Sequence, residues 1–180
     1  MKAPPNKPIE VDLRNRASPA RSWATLGGSG RRIGRNLHMT EAEARNVSVV
    51  RRYFDGCNSG DLDVLMGTLT QDVVHYFLDP KFPPIRGAEH LSKYWRKYKA
   101  VLDPIWSIDR IIAQDEDVVS EWSCIWTPKQ TQRRIVTRGS EWYVMRNVRI
   151  AEVRAYFVAD DAATTELVGF PYGDRSYLTL

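Results

Sequence analysis

His75, Phe77 and Asp79 alternate along the run Val73-Val74-His75-Tyr76-Phe77-Leu78-Asp79, so a strand here would project an imidazole and a carboxylate from one face. Those two types do proton transfer: an imidazole titrates near neutrality, and a carboxylate withdrawn from water gains proton affinity because burial disfavours its charged form. A satisfied structural histidine, and an aspartate capping the turn before Pro80, are the competing assignments. Trp122, Cys124 and Trp126 share a face of a second strand-like run, which suits a large, flat apolar ligand. Trp95, Trp106 and Trp142 enlarge this aromatic set, which lines a pocket or fills a core.

Other chemistries lack their residues. Cys57 and Cys124 have no metal-like spacing, and His38, His75 and His90 form no ligand pair, so neither a metal nor an organic cofactor is expected. Gly27, Gly28 and Gly30 follow no strand, which removes the context a phosphate loop needs. The net charge of +4 invites a nucleic-acid reading. Yet residues 1–38 hold eight basic against two acidic side chains, while the remainder holds 18 against 20. The body therefore carries no footprint for a phosphate backbone, and no nucleic-acid partner is expected. No apolar run reaches the roughly 18 to 20 residues of a membrane span. A soluble, cytoplasmic protein in a reducing compartment fits the cysteine usage.

The elements that must position these residues are marked by caps and periods. Residues 1–39, rich in Pro, Gly and Ser without hydrophobic period, are expected to be a disordered basic lead. Thr40-Glu41-Ala42-Glu43 is a capping box that opens a helix with Val47, Val50, Phe54 and Cys57 as its inner stripe, stopped at Asn58-Ser59-Gly60. Asp61 caps a short second helix to about Leu69, and residues 72–78 form the first strand, closed by Asp79-Pro80. After a loop to Gly87, Leu91, Trp95, Tyr98 and Leu102 recur at helical spacing up to Asp103-Pro104. Residues 105–114, 117–127, 131–146 and 149–158 then change to strand composition. A short helix near residues 160–168 and an aromatic tail end the chain.

Val49-Val50-Arg51-Arg52-Tyr53-Phe54, Asn58-Ser59-Gly60-Asp61-Leu62-Asp63, Asp72-Val73-Val74 and Asp79-Pro80, with the closing Ile150-Ala151-Glu152-Val153-Arg154-Ala155-Tyr156-Phe157, resemble the nuclear transport factor 2-like superfamily. Within it, the similarity is to the SnoaL-like and ketosteroid isomerase-like branches. The resemblance implies an α+β fold for residues 40–160, a cone-shaped curved antiparallel sheet wrapped around three helices, of the cystatin-like α+β barrel type. Residues 161–180 would pack near the pocket mouth, and a homodimer is implied.

It also implies chemistry. In the isomerase branch a Tyr follows a Val-Val pair on the first helix and an Asp precedes Pro after the first long strand, positions held here by Tyr53 and Asp79. Asp79 would take a proton from carbon beside a carbonyl and Tyr53 would hydrogen-bond the enolate oxygen, a division of labour for which ketosteroid isomerase is the worked case. A later-strand acid falls between Ser140 and Glu141. The catalytic candidates are thus Asp79, Tyr53, His75 and Glu141. The substrate-binding candidates are Phe77, Trp95, Trp122, Trp126 and Trp142, around an apolar small molecule. A small-molecule isomerase or polyketide-cyclase-like enzyme is the leading expectation. The alternatives are a non-catalytic ligand-binding or dimerisation module, and a dehydratase using His75 with Asp79.

Overall fold

In the computed structural model, residues 39–79, 81–127 and 135–157 are described. Three helices, α1 (Glu41–Ser59), α2 (Leu62–Thr68) and α3 (Ala88–Leu102), accompany six strands. These are β1 (Leu69–Phe77), β2 (Ile85–Arg86), β3 (Ile105–Gln114), β4 (Asp117–Trp126), β5 (Ile135–Met145) and β6 (Ile150–Phe157). The strands form one curved, unclosed sheet in the order β2-β1-β6-β5-β4-β3.

The α+β class with three helices against a curved sheet stands, with two corrections of detail. The sheet is mixed, because β1 runs parallel to β6, and it does not close into a barrel. A chain that leaves β1 through α3 and a meander of four strands returns in the direction it started, so its last strand pairs parallel. The two-residue strand β2 falls in what was expected to be loop, where Ile85 pairs with His75. The predicted N-terminal lead, the helix near residues 160–168 and the C-terminal extension all lie outside the described residues.

Local signals explain the element ends. The capping box forms as expected, Thr40 accepting from the Glu43 amide while Glu43 accepts from the Thr40 amide. Gly60 closes α1 in the left-handed region at φ 72°, which costs glycine nothing. Asp61 accepts from the Asp63 and Val64 amides at the start of α2. Helix α1 is tied along β3 at both ends. Asn58 acts as a strand surrogate, donating to the Trp106 carbonyl at 3.0 Å and accepting from the Trp106 amide at 2.8 Å. At the far end Asn46 donates to the Asp115 carbonyl and Glu43 accepts from the Asp115 amide.

The core lies between the helices and the inner face of the sheet. Val47, Val50, Tyr53, Phe54 and Cys57 of α1 and Leu91 and Trp95 of α3 are buried against Val118, Trp122, Tyr143 and Val153. Ile108 and Arg110 bracket a bulge, which sends Asp109 to the outer face, where it meets Ser123 and Arg138. On the inner face Trp122 lies opposite Gly139. A Cβ at Gly139 would stand 2.4 Å from the Trp122 ring and 2.7 Å from the Tyr156 carbonyl, so glycine is required there by close approach. Gly139→Ala is therefore expected to lower stability by about 1–3 kcal/mol and to weaken the near-ultraviolet tryptophan dichroism, as urea unfolding and circular dichroism would show. An unchanged midpoint would mean the indole is not held against the strand.

Candidate functional site

The inner face of the sheet and α3 enclose a cavity of about 220 Å³. Most of its wall, among the described residues, is aromatic: Phe77 from β1, Tyr94, Trp95 and Tyr98 from α3, Trp106, Trp122 and Trp126 from β3 and β4, Phe157 from β6, with the exposed Phe82 beside them and Cys124, Thr137 and Ala155 between. Among the described residues Glu141 is the carboxyl in this wall. Glu141 also borders a niche of about 10 Å³ with Tyr53, Phe54, Cys57, Trp95 and Trp106, the size of a single water.

The register of β5 decides which acid faces inward. Glu141 pairs with Ser120 and Ala155, both buried on the inner side, whereas Ser140 pairs with Glu121 and Tyr156 on the outer side. Alternation then puts Thr137, Gly139, Glu141 and Tyr143 together. Glu141 is 5% exposed, and its carboxylate accepts a hydrogen bond from the Tyr143 hydroxyl, which also meets Ser120 at 3.5 Å. Burial pushes the Glu141 carboxyl up to about 7, and the Tyr143 hydrogen bond opposes that rise. Tyr53, Cys57 and Tyr143 are its titratable neighbours, and burial pushes all three upward, so they remain protonated at neutrality. The Tyr53 hydroxyl accepts from Trp95 Nε1 at 2.5 Å.

The sequence candidates divide. Tyr53 and Glu141 come together around the niche, and Phe77, Trp95, Trp122 and Trp126 line the cavity. Asp79 does not join them. It lies two residues beyond β1, where its side chain accepts from the Lys81 amide at 3.0 Å and its carbonyl from the Phe82 amide, an Asx turn at the strand end. Trp142 is corrected as well: one residue from Glu141, it points to the outer face and donates to Asp117 at 2.9 Å. His75 is wholly buried between Phe77 and Trp95, with ring centroids 4.3 and 5.6 Å away, and neither nitrogen has a hydrogen-bond partner. Burial drops its pKa to about 3, so it stays neutral where a shuttling histidine would titrate. The pairing of His75 with Asp79 for dehydration is thus not brought to the cavity. Tyr94, Tyr98, Phe82, Phe157 and Tyr143 were not foreseen as site residues, although Tyr98 belonged to the helical stripe and Tyr143 lies two residues from Glu141. Among the described residues no group of three or more His, Cys, Asp or Glu could hold a metal ion, and no helix is long and apolar enough to cross a membrane.

A curved sheet backed by three helices, with an aromatic cavity on its inner face, defines the class of small α+β domains built on the nuclear transport factor 2-like plan. The SnoaL-like domain model matches residues 50–153, more than half of the chain, and the protein belongs to that family. Among solved structures it is similar to a protein of unknown function with a cystatin-like fold from Methylobium petroleophilum PM1, at 27% identity over 72% of this chain and 88% of that one, TM-score 0.58. It also resembles an LEH-like epoxide hydrolase of M. tuberculosis, at 20% identity over 64% and 84%, TM-score 0.57. A third is a Jannaschia sp. CCS1 protein described as a SnoaL-like polyketide cyclase, at 14% identity over 67% and 90%, TM-score 0.60. None of the curated proteins matches the chain.

Glu141 and His75 give stability opposite dependences on pH. The folded Glu141 holds its proton up to about 7 against an ordinary value near 4.5, so its favourable contribution is full below 4.5 and is lost as pH rises to 7. The folded His75 releases its proton down to about 3 against an ordinary 6.5, so stability is lost as pH falls below 6.5. Between pH 4.5 and 6.5 the two oppose one another. Glu141→Gln should therefore lose about 2–3 kcal/mol on acidification from pH 6.5 to 4.5, while His75→Leu should lose about 3 kcal/mol as pH rises from 4.5 to 7. Urea unfolding across that range measures both slopes, and equal signs in the two variants would contradict the assignment.

Proposed function

We propose that this protein is a small-molecule isomerase or cyclase in which Glu141 moves the proton. The observation that carries the reading is a buried carboxyl, poised near neutrality, in the wall of an aromatic cavity of about 220 Å³. As the carboxylate, Glu141 takes a proton from the carbon beside a substrate carbonyl, leaving an enolate; as the carboxylic acid, it returns that proton to the far carbon of a conjugated enolate, or to the alkoxide formed when the enolate carbon bonds to a second carbonyl carbon of the same molecule. The double bond moves or a ring closes, and no oxidant or external base is consumed. Tyr53 stays a neutral phenol in the niche beside the same acid, and Tyr143 orients the carboxylate. The role first drawn for Asp79 passes to Glu141, because burial is what raises a carboxyl into the useful range.

The test is proton exchange with solvent deuterium at the α-carbon of ring ketones, and isomerisation of β,γ-unsaturated ketones, followed by NMR. The rate should rise with pH through about 7 as Glu141 ionises. Glu141→Gln should reduce kcat by 10²-fold or more, in the range of a lost general base. Tyr143→Phe, which removes the hydrogen bond that favours the carboxylate, should move the inflection to higher pH. Loss of rate in Asp79→Asn with retention in Glu141→Gln would transfer the base to the turn. Absence of exchange across the ketones at every pH would leave ligand binding as the role of the cavity.

A further inference from the structure

Among the described residues that wall the cavity, Phe82 stands apart. The others belong to helices or strands and are buried or half-buried, whereas Phe82 lies on the segment between β1 and β2 and is 45% exposed. Its ring meets that of Phe77 at a centroid distance of 5.8 Å, with the planes at 57°. A ring that borders the cavity and water at once occupies the rim. An apolar molecule seated in the cavity against this ring would remove both surfaces from water, which favours its binding in proportion to the area covered.

The backbone around Phe82 is fixed by local chemistry. Just past the end of β1, Leu78 donates to the Ala155 carbonyl at 3.1 Å. Asp79 then makes two bonds to the residues that follow: its side chain accepts from the Lys81 amide at 3.0 Å, and its carbonyl accepts from the Phe82 amide at 3.0 Å. The first is an Asx turn, and the second closes a tight turn at Phe82. Pro83 and Pro84 come next in the sequence, which biases Phe82 toward extended backbone and stiffens the approach to β2, where Ile85 pairs with His75. The Asp79 carboxylate is thus committed to the segment that carries Phe82.

We propose that Asp79 is a positioning residue whose turn holds Phe82 at the rim of the cavity, and that the Phe82 ring covers the outer side of a flat, apolar ligand seated there. This rests on the cavity being the ligand site, and it does not require proton transfer by Glu141. The role asks Asp79 for an acceptor oxygen, not for a charge or a base. Asparagine supplies that oxygen in an Asx turn, and alanine does not.

Equilibrium dialysis with naphthalene tests this without turnover. A cavity of about 150 Å³ accepts a benzene ring, so about 220 Å³ suits two fused rings, and the probe has no carbonyl for Glu141 to act beside. Phe82→Ala should weaken naphthalene roughly five- to tenfold, Asp79→Ala roughly threefold or more, and Asp79→Asn less than about twofold. In the double variant Asp79→Ala/Phe82→Ala the affinity should match that of Phe82→Ala alone, because Asp79 acts through a ring that is no longer there. Additive losses would give Asp79 a role of its own, and equal losses in its Asn and Ala variants would make its charge the active property; either result overturns the proposal. Unaltered affinity in Phe82→Ala, or a wild type that takes up no naphthalene, overturns it as well. Should Asp79→Ala not fold, loss in Phe82→Ala beside retention in Asp79→Asn upholds the proposal, and loss in Asp79→Asn sinks it. Naphthalene binding as expected without α-proton exchange of ring ketones would remove the catalytic reading and leave this one standing, whereas exchange with equal naphthalene affinity in every variant would do the reverse.

Discussion

The hydrogen bond from Trp95 Nε1 to the Tyr53 hydroxyl joins the two long helices across the core, and the arrangement of the inner face hangs on it. Trp95 is packed edge-on to His75, Phe77, Tyr94, Tyr98 and Trp106. With Trp106 and Glu141 it borders both the aromatic cavity and the small niche, so these three side chains lie between the two spaces. Were the indole to turn, its N–H and the phenol oxygen would both lose a buried partner, a penalty large enough to hold the ring in place. Rigid aromatic walls follow from a polar contact.

That wall also governs the acid. A carboxyl held by one tyrosine hydroxyl inside aromatic rings is kept neutral until pH approaches 7, because that one hydrogen bond offsets only part of the burial. His75 is the mirror case in the same core: an imidazole with no partner gives up its proton instead. Neither is an efficient way to stabilise a fold. The difference is access, since Glu141 borders empty space and His75 is closed off by Phe77 and Trp95. Access, more than proton affinity, separates a group fit for chemistry from one that only fills the core.

Much of this architecture was legible along the chain, for local reasons. The capping box at Thr40, Asp61 at the head of α2 and the period of Leu91 and Trp95 depend on residues within one turn of each other, and the elements form where those signals stand. The family was legible too, through runs such as Tyr53-Phe54 and Asn58-Ser59-Gly60. The site was legible only in part. Period two separates Glu141 from Trp142, but which of the two faces inward depends on the pairing of β5 with β4 and β6. Asp79 shares a sequence period with His75 and Phe77, yet the strand stops at Phe77 and the turn claims the carboxylate. The parallel place of β6 beside β1 likewise left no trace within either segment, because it is set by the path between them.

That parallel pairing has a consequence for how the molecule is made. Strand β1 is complete at Phe77, but its central neighbour ends only at Phe157, so during synthesis the first strand waits for the last before the sheet joins. The β3-β4-β5 meander can pair as it emerges, whereas among the described strands that precede it β1 finds only the two-residue β2 to pair with, although α3 covers its inner face. Loop closure across this distance makes the joining step slow relative to hairpin formation, and until it is complete the edge of β1 that faces β6 stays unpaired.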